Sequence, residues 1–264
     1  MELRRNTFKH AIAAGQLQIG LWCSLCSNIA ADIVRDCGFD WLLLDTEHSP
    51  NEIPDLLAQL QAVDGGQATP IVRPAWNDIV LIKRCLDIGA PALLVPYVQN
   101  PAEAKSAVAA VRYPPRGVRG VASASRASRY GRTTDYLKKA DSEICLLVQV
   151  ETRAALDELE AIATVEGVDG VFIGPSDLSI ALNDGRKAEP RGEALMKAAA
   201  WVVERAKSHG KYASMFCFDG ADAREMAAKG FRLCSVSSDQ ILLRGAARAE
   251  LAAARASVPG KRAK

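Results

Sequence analysis

The chain has no stretch near the roughly 18 consecutive apolar residues of a membrane-spanning helix. Its first residues, MELRRNTFKHAIAAGQLQ, hold no apolar run long enough for a secretory signal. No G-x-G-x-x-G follows the first apolar run and no phosphate loop occurs, so dinucleotide and ATP readings fall away. Net charge is scarce too: 33 Lys and Arg against 31 Asp and Glu leave +2, with the signs interleaved. That balance gives no general pull toward nucleic acid or a membrane surface. Histidine is rare, at His10, His48 and His209 only. The seven cysteines are scattered, mostly in apolar runs, and only Cys23 and Cys26 form a C-x-x-C. Without a second such pair, small apolar fillers in a reduced compartment are expected, rather than a redox couple or half a zinc site. The expectation is a cytoplasmic protein.

What is present is alternation. Short apolar runs read as buried parallel strands: LWC near residue 21, WLLLD at 41–45, IVR at 71–73 and ALLVP at 92–96. The series continues with CLLVQVE at 145–151, GVFIG at 170–174, YASMF at 212–216 and LCSVS at 233–237. Unbroken apolar runs are what strands covered on both faces require. Helical patterns lie between them. NEIPDLLAQLQAV sets Ile53, Leu56, Leu57 and Leu60 on one stripe, and in NPAEAKSAVAAV Asn100, Pro101 and Glu103 form a helix start. Gly38, Gly89, Gly167, Gly210 and Gly230 close helices. Eight strands alternating with helices predict an α/β fold, a single (β/α)₈ TIM barrel over 1–256, which fits a chain of 264 residues. The last residues, 257–264, read as a disordered tail.

Unusual polar residues follow several different strands, as they do at the C-terminal mouth of a barrel. LLLDTEHSPN delivers Asp45, Glu47 and His48 together. His48 suits proton transfer near neutrality, with the carboxylates tuning it; equally, the acids could shape the turn while His48 bonds backbone. Arg73 closes IVR, and a guanidinium there needs an anion. That anion is either a barrel carboxylate or a substrate oxygen. Glu151 and Asp177 each end a strand and begin a helix, where an acid also caps. Together over one face they suit a hard divalent ion such as Mg²⁺ or Mn²⁺. Gln149 shares the strand face of Glu151, and the GPSD turn around Ser176 lets backbone N–H groups approach a ligand. Asp87 sits at a helix C-terminus, where the dipole disfavours an acid, unless Lys83 or Arg84 compensates. The loop 112–132 carries Arg112, Arg116, Arg119, Arg126, Arg129 and Arg132. It reads as a solvated or subunit-contacting loop, or as a lid or neighbouring-subunit contact that recognises an acidic substrate tail.

GFDWLLLDTEHSPN, VRPAWND, LDIGAPALLVPYVQN, RYPPRGVRG, LLVQVET and VEGVDGVFIGPSDLS resemble the HpcH/HpaI aldolase family. The match runs from about Gly20 to Asp239. The resemblance implies a class II, metal-dependent pyruvate aldolase, an aldehyde-lyase that cleaves a 4-hydroxy-2-oxo acid to pyruvate and an aldehyde. It implies Glu151 and Asp177 as ligands of Mg²⁺, Mn²⁺ or Co²⁺, and His48 as acid/base. Asp87 would raise the basicity of His48 across a subunit interface. Arg73 would stabilise the enolate, while Gln149 and the backbone at Ser176 would contact substrate. The family fold is a (β/α)₈ barrel that swaps its last helix between subunits, assembled as a homohexamer. Thr46 stands where some members carry glycine, and a positive φ there would strain it. The loop at 122–132 looks nearer in length to the sugar-acid aldolases, and 180–192 diverges. Two alternatives remain at this level: a citrate-lyase-β-like lyase on a CoA thioester, and a non-catalytic keto-acid-binding protein. No lysine ends a predicted strand, so a Schiff base has no obvious bearer.

Overall fold

A computed structural model describes residues 1–256; the segment 257–264, expected to be a disordered tail, lies outside the described residues. Eight parallel strands close into a barrel in sequence order. They are β1 (Gln18–Cys23), β2 (Trp41–Asp45), β3 (Thr69–Arg73), β4 (Ala92–Val95), β5 (Cys145–Val150), β6 (Gly170–Ile173), β7 (Tyr212–Met215) and β8 (Leu233–Ser238). Pairing of Gln18 with Leu233 helps to close the ring. Each of the eight apolar runs therefore forms its strand.

The helices before the fifth strand are α1 (Thr7–Ala13), α2 (Asn28–Val34), α3 (Ile53–Ala62), α4 (Ile79–Asp87), α5 (Pro101–Val111) and α6 (Tyr136–Glu143). Those after it are α7 (Arg153–Asp157), α8 (Leu159–Ala163), α9 (Pro175–Leu182), α10 (Glu193–Ser208), α11 (Gly220–Ala228) and α12 (Asp239–Ala256). Local chemistry sets their ends. Asn100 accepts from the Glu103 N–H, while Glu103 returns bonds to the Gln99 N–H and the Asn100 side chain. The five helix-closing glycines all have positive φ, where a side chain would be strained. No described helix is long and apolar enough to cross a membrane.

The strands carry two cores, one on each face. Outward residues such as Leu42, Leu44, Val72 and Val148 pack under the helices. Inward residues Trp22, Trp41, Leu43, Ile71, Leu94, Leu147 and Phe172 fill the barrel, and Phe8 and Ile12 of α1 join them. Side chains alternate along a strand. The inward series 41, 43, 45 therefore ends in Asp45, the series 71, 73 in Arg73, and 145, 147, 149, 151 in Gln149 and Glu151. The periodicity that builds the core thus also aims the polar residues into one mouth.

The arginine-rich loop belongs to the other end. It links α5 to β5 through α6, so it lies at the N-terminal rim of the strands. Arg126 donates to the carbonyls of Ile88 and Leu60, beside the C-terminal ends of α4 and α3, and pairs with Asp64. Within its own chain the loop is thus no lid over the strand-end mouth. Its arginines divide: Arg119 is 1% exposed, whereas Arg116, which pairs with Asp141, and Arg129 and Arg132 are exposed. A cavity of about 410 Å³ opens at this rim, lined in part by Arg4, Asp64, Arg126 and Tyr130.

The last helix stands apart. It touches β1 and β8, and Asp239 anchors its start by accepting from the N–H groups of Ser24 and Leu25. Beyond that, Ile241, Leu242, Leu243 and Leu251 are exposed, as are Ile29 and Ile33 on α2.

Candidate active site

Arg73 is the hub of the mouth. Its Nε and Nη2 donate to the two oxygens of Asp45 at 2.8 and 2.6 Å. Its Nη1 lies 2.8 Å from Glu47 Oε2, yet that oxygen has no aligned hydrogen-bond donor. The guanidinium also rests over the Trp22 ring, 4.8 Å from its centroid. A planar, forked cation suits a bidentate carboxylate and an aromatic face at once. Of the two readings of Arg73, the internal salt bridge is therefore present, and one nitrogen remains loosely engaged.

The neighbouring acids divide by environment. Asp45 is buried, which opposes ionisation, but the Arg73 bonds outweigh this and hold its carboxyl below the usual range. Glu47 is pushed up to about 7, first by burial and further by the charges of Glu151 and Asp45, against the attraction of Arg73. The sequence grouping of Asp45, Glu47 and His48 survives as a built turn. Asp45 accepts from the N–H groups of Glu47 and, more loosely, His48, and its carbonyl accepts from Ser49 and Asn51. Asp45 thus shapes this turn in its own chain. His48 itself is exposed, with Nε2 3.8 Å from Glu47 Oε2. Thr46 shows no strain: it is absent from the positive-φ residues, and both its N–H and its hydroxyl donate to the Arg73 carbonyl.

Across the mouth, Glu151 is 3% exposed. One oxygen accepts from the Tyr97 N–H at 2.8 Å and the other from the Gln149 side chain. Burial raises its pKa, and the charge of Asp177 raises it further. Gly174 makes this closeness possible, since a Cβ there would stand 2.5 Å from Glu151 Oε2 and 3.0 Å from Gln149 Nε2. Pro175, Ser176 and Asp177 then open α9, with Ser176 and Asp177 exposed. Backbone N–H groups in a first helical turn have no partner within the helix. Gln149 Oε1 is buried with no partner at all.

Asp87 is not part of this mouth in its own chain. It ends α4, which starts near the mouth and runs about 13 Å back to the opposite rim, at 1.5 Å per residue. There it pairs at 3.2 Å with Arg119, whose guanidinium lies over Tyr113 and Tyr136. Neither Lys83 nor Arg84 supplies the compensation; an arginine 32 residues away does. Cys23 and Cys26 are both free thiols, and burial pushes the Cys23 thiol far up, as an inert filler requires.

Sequence reasoning missed Trp22, the seat of Arg73, although its place two residues along from Gly20 on β1 points it inward. It also missed Trp76 and Tyr97. Their rings stack at 5.2 Å, and Tyr97 holds φ at +56°.

Among the described residues no group of three or more His, Cys, Asp and Glu is arranged to hold a metal. Two carboxylates alone are enough where water or substrate completes the shell of a hard cation. The donor set passes that test. Burial and the nearby charge of Asp177 raise the cost of ionising Glu151, and a buried carboxylate needs a counter-charge. Arg73 is already engaged by Asp45 and Glu47.

The family model for HpcH/HpaI aldolase/citrate lyase matches residues 18–246. The chain belongs to that family. A pyruvate aldolase of Rhizobium etli is 53% identical over 243 residues, covering 92% of this chain and 95% of that one. A 4-hydroxy-2-oxo-heptane-1,7-dioate aldolase of Klebsiella pneumoniae is 47% identical over 91% of both. A crystal structure of a family member from Burkholderia cenocepacia superposes with TM-score 0.91 at 37% identity, covering 95% of this chain and 99% of that one. The barrel is thus the family's barrel, and the resemblance read from the motifs is correct.

Proposed function

We propose that the protein is a class II pyruvate aldolase, reversibly cleaving a 4-hydroxy-2-oxo acid to pyruvate and an aldehyde at the C-terminal mouth of the barrel. Family membership and the aldolase names of its relatives support the reaction class. The observation that carries the site is the meeting of Glu151, Arg73 and the Glu47–His48 turn at one end of the strands. Glu151 and Asp177 would hold one divalent cation, Mg²⁺, Mn²⁺ or Co²⁺, which supplies Lewis-acid stabilisation of charge on the 2-oxo acid.

The chain's own residues do the rest. His48, directly or through one water, removes the proton of the C4 hydroxyl. The C3–C4 bond then breaks to give the aldehyde carbonyl, and its electron pair moves onto the oxo-acid half as an enolate. Arg73, held rigidly by Asp45 and Trp22, turns its loosely engaged Nη1 toward that developing charge. Protonation of C3 completes pyruvate. Gln149 has a buried Oε1 free to accept from substrate, and the first-turn N–H groups at Ser176 and Asp177 are free to donate to its carboxylate.

Asp87 is assigned to a neighbouring site, since its own chain places it at the far rim. A homo-oligomer in which that rim meets another subunit's mouth would bring Asp87 to His48. The uncovered apolar residues of α12 and α2 support such an assembly, with α12 exchanged between paired chains and a hexamer as its form. The test is pyruvate release from a panel of 4-hydroxy-2-oxo acids after chelation. Activity should vanish and return with Mg²⁺, Mn²⁺ or Co²⁺. Full turnover in excess EDTA, or borohydride trapping of a pyruvate adduct, would overturn the assignment.

A further inference from the structure

The segment 183–192, which links α9 to α10, has no part in the cleavage chemistry, yet it ties two neighbouring strand-end turns together. On one side, the Ser179 hydroxyl donates to the Ser176 carbonyl at 2.8 Å and accepts from the Glu189 N–H at 3.0 Å. Two residues on, Arg191 reaches across to the turn after β7. Its Nε and Nη2 donate to the two oxygens of Asp222 at 2.7 and 2.5 Å, and Nη2 also donates to the Phe216 carbonyl at 3.0 Å. Asp222 in turn accepts from the Phe218 N–H at 2.8 Å. The guanidinium lies over the Phe218 ring, 5.0 Å from its centroid, and Nη1 donates to the Pro190 carbonyl. Each nitrogen of Arg191 thus has an acceptor in its own chain. That is the arrangement of a brace rather than of a grip on substrate.

The turn that Arg191 holds carries Phe216 into the mouth. Side chains alternate along β7, so the inward series 212, 214 ends in Phe216, whose ring packs against the inner core. It meets Phe218 and Trp22 edge to face, each at 5.4 Å between centroids. In a ring of eight strands β1 stands opposite β5, so Trp22 faces Gln149 and Glu151 across the mouth. The groups assigned to the 2-oxo acid come from β3, β5 and the start of α9, while Trp22 and Phe216 make an apolar arc from β1 and β7. The two rings of that arc are held differently. Trp22 has its own anchors in Phe172 at 5.6 Å and in its N–H to Asp45 at 3.3 Å. Phe216 depends on its turn. The Ser235 hydroxyl fastens the Cys217 backbone, and Arg191 with Asp222 fastens the residues on either side of it.

We infer that Arg191 is a positioning residue for the aldehyde half of the substrate, holding Phe216 against Trp22 from outside the mouth. This rests on the aldolase reading above and adds to it the residue that sets the acceptor wall. Asp222 neutralises the charge of Arg191, so the brace acts through the shape of the wall and not through attraction for an acceptor's carboxylate.

The experiment uses the metal-loaded enzyme in the synthetic direction, with pyruvate and two acceptors of one length, butanal and 4-oxobutanoate. Arg191→Ala should raise the KM of both acceptors about tenfold, the scale of one loosened aromatic contact, with a smaller change in kcat. Arg191→Lys, which keeps the charge and loses the fork, should shift both in the same way. Exchange of the pyruvate methyl protons with deuterium, followed by NMR without any aldehyde, should stay at the wild-type rate in both variants, because Arg73, Glu151 and Trp22 keep their own contacts. A loss confined to 4-oxobutanoate and rescued by Arg191→Lys would overturn the inference, since Arg191 would then be a carboxylate grip. So would wild-type acceptor KM values in Arg191→Lys, or parallel losses of exchange and of both acceptors, the mark of general damage to the mouth. If Arg191→Ala does not fold, Arg191→Lys decides by the same measurements. Wild type that exchanges protons but takes neither acceptor sinks the brace alone, whereas absence of exchange in wild type sinks the aldolase reading and the brace with it.

Discussion

Two buried arginines sit at opposite ends of the barrel in nearly the same surroundings. At the mouth, Arg73 lies over Trp22 and grips both oxygens of Asp45. At the opposite rim, Arg119 lies over Tyr113 and reaches one oxygen of Asp87. The difference is in what is left over. Asp45 is enclosed and locked, holding Arg73 while it also accepts from Trp22 and from the N–H groups of the Glu47–His48 turn. Asp87 is held by a single contact and stays part-exposed, while Nε and Nη1 of Arg119 are buried without partners. The first arrangement fixes a cation at the mouth; the second holds an anion that stays part-exposed at the rim. A guanidinium on an aromatic ring is thus a mount, and the geometry of the carboxylate decides which partner is presented.

Breaking the mouth should have the largest effect. Arg73→Ala should lower kcat by about 10² to 10³, the range for losing one preorganised donor to developing charge, with a smaller change in KM. A loss confined to KM, measured by steady-state pyruvate release, would reduce Arg73 to a substrate grip. At the rim the effect should fall on stability instead. Arg119→Ala removes a buried cation, its ring contacts and the partner of Asp87. It should cost about 2 to 3 kcal/mol by urea unfolding, somewhat under the scale for breaking a buried pair because Asp87 is part-exposed. An Arg119→Ala protein as stable as wild type would dissolve the parallel between the two mounts.

The comparison sharpens further if Asp87 serves a neighbour. Asp87→Asn should slow turnover about tenfold, below the roughly 10² to 10⁴ that an acid/base group itself contributes, because Asp87 would act through His48. Mixing inactive His48→Ala with Asp87→Ala subunits should restore part of the activity, because some interfaces would then carry an intact pair. Subunit exchange must be shown in the same samples by mass spectrometry. Exchange without recovery would return Asp87 to a purely structural role.

The smallest effect concerns Glu47, the acid that Arg73 leaves unaligned. Its folded pKa of about 7 lies above the ordinary 4.5, so the folded state binds the proton more tightly than the unfolded state. Stability from this group is therefore greatest at low pH and is lost as pH rises from about 4.5 through 7. In metal-free protein, Glu47→Gln should unfold at higher denaturant than wild type at pH 8, by about 1 kcal/mol after allowance for solvent and for its coupled neighbours. The two curves should converge near pH 4.5. Parallel curves at every pH would show that Glu47 is ionised throughout.

The fold was legible because burial on both faces leaves unbroken apolar runs, and all eight became strands. The mouth was legible for a related reason: Asp45, Arg73, Gln149 and Glu151 end inward series whose earlier members are core. Asp87 was visible as a helix-end acid. Its partner was not, because Arg119 lies in a loop with no period to place it. The same loop looked like a possible lid until its position between α5 and β5 put it at the wrong end for its own chain. Tyr97 was silent for a different reason. Nothing in PYVQN favours a left-handed tyrosine, and only the carboxylate that its N–H meets accounts for it.

The last helix carries a consequence for how this protein comes to exist at all. Eighteen residues are near the length at which an isolated helix is only marginally formed in water. Beyond its first turn α12 is exposed and leans on little of its own barrel. In the assembly proposed above, a second subunit covering Leu242, Leu243 and Leu251 would contribute stability that grows with subunit concentration. Folding of this helix and meeting a partner would then be one event, and dilution would act on it as a denaturant does.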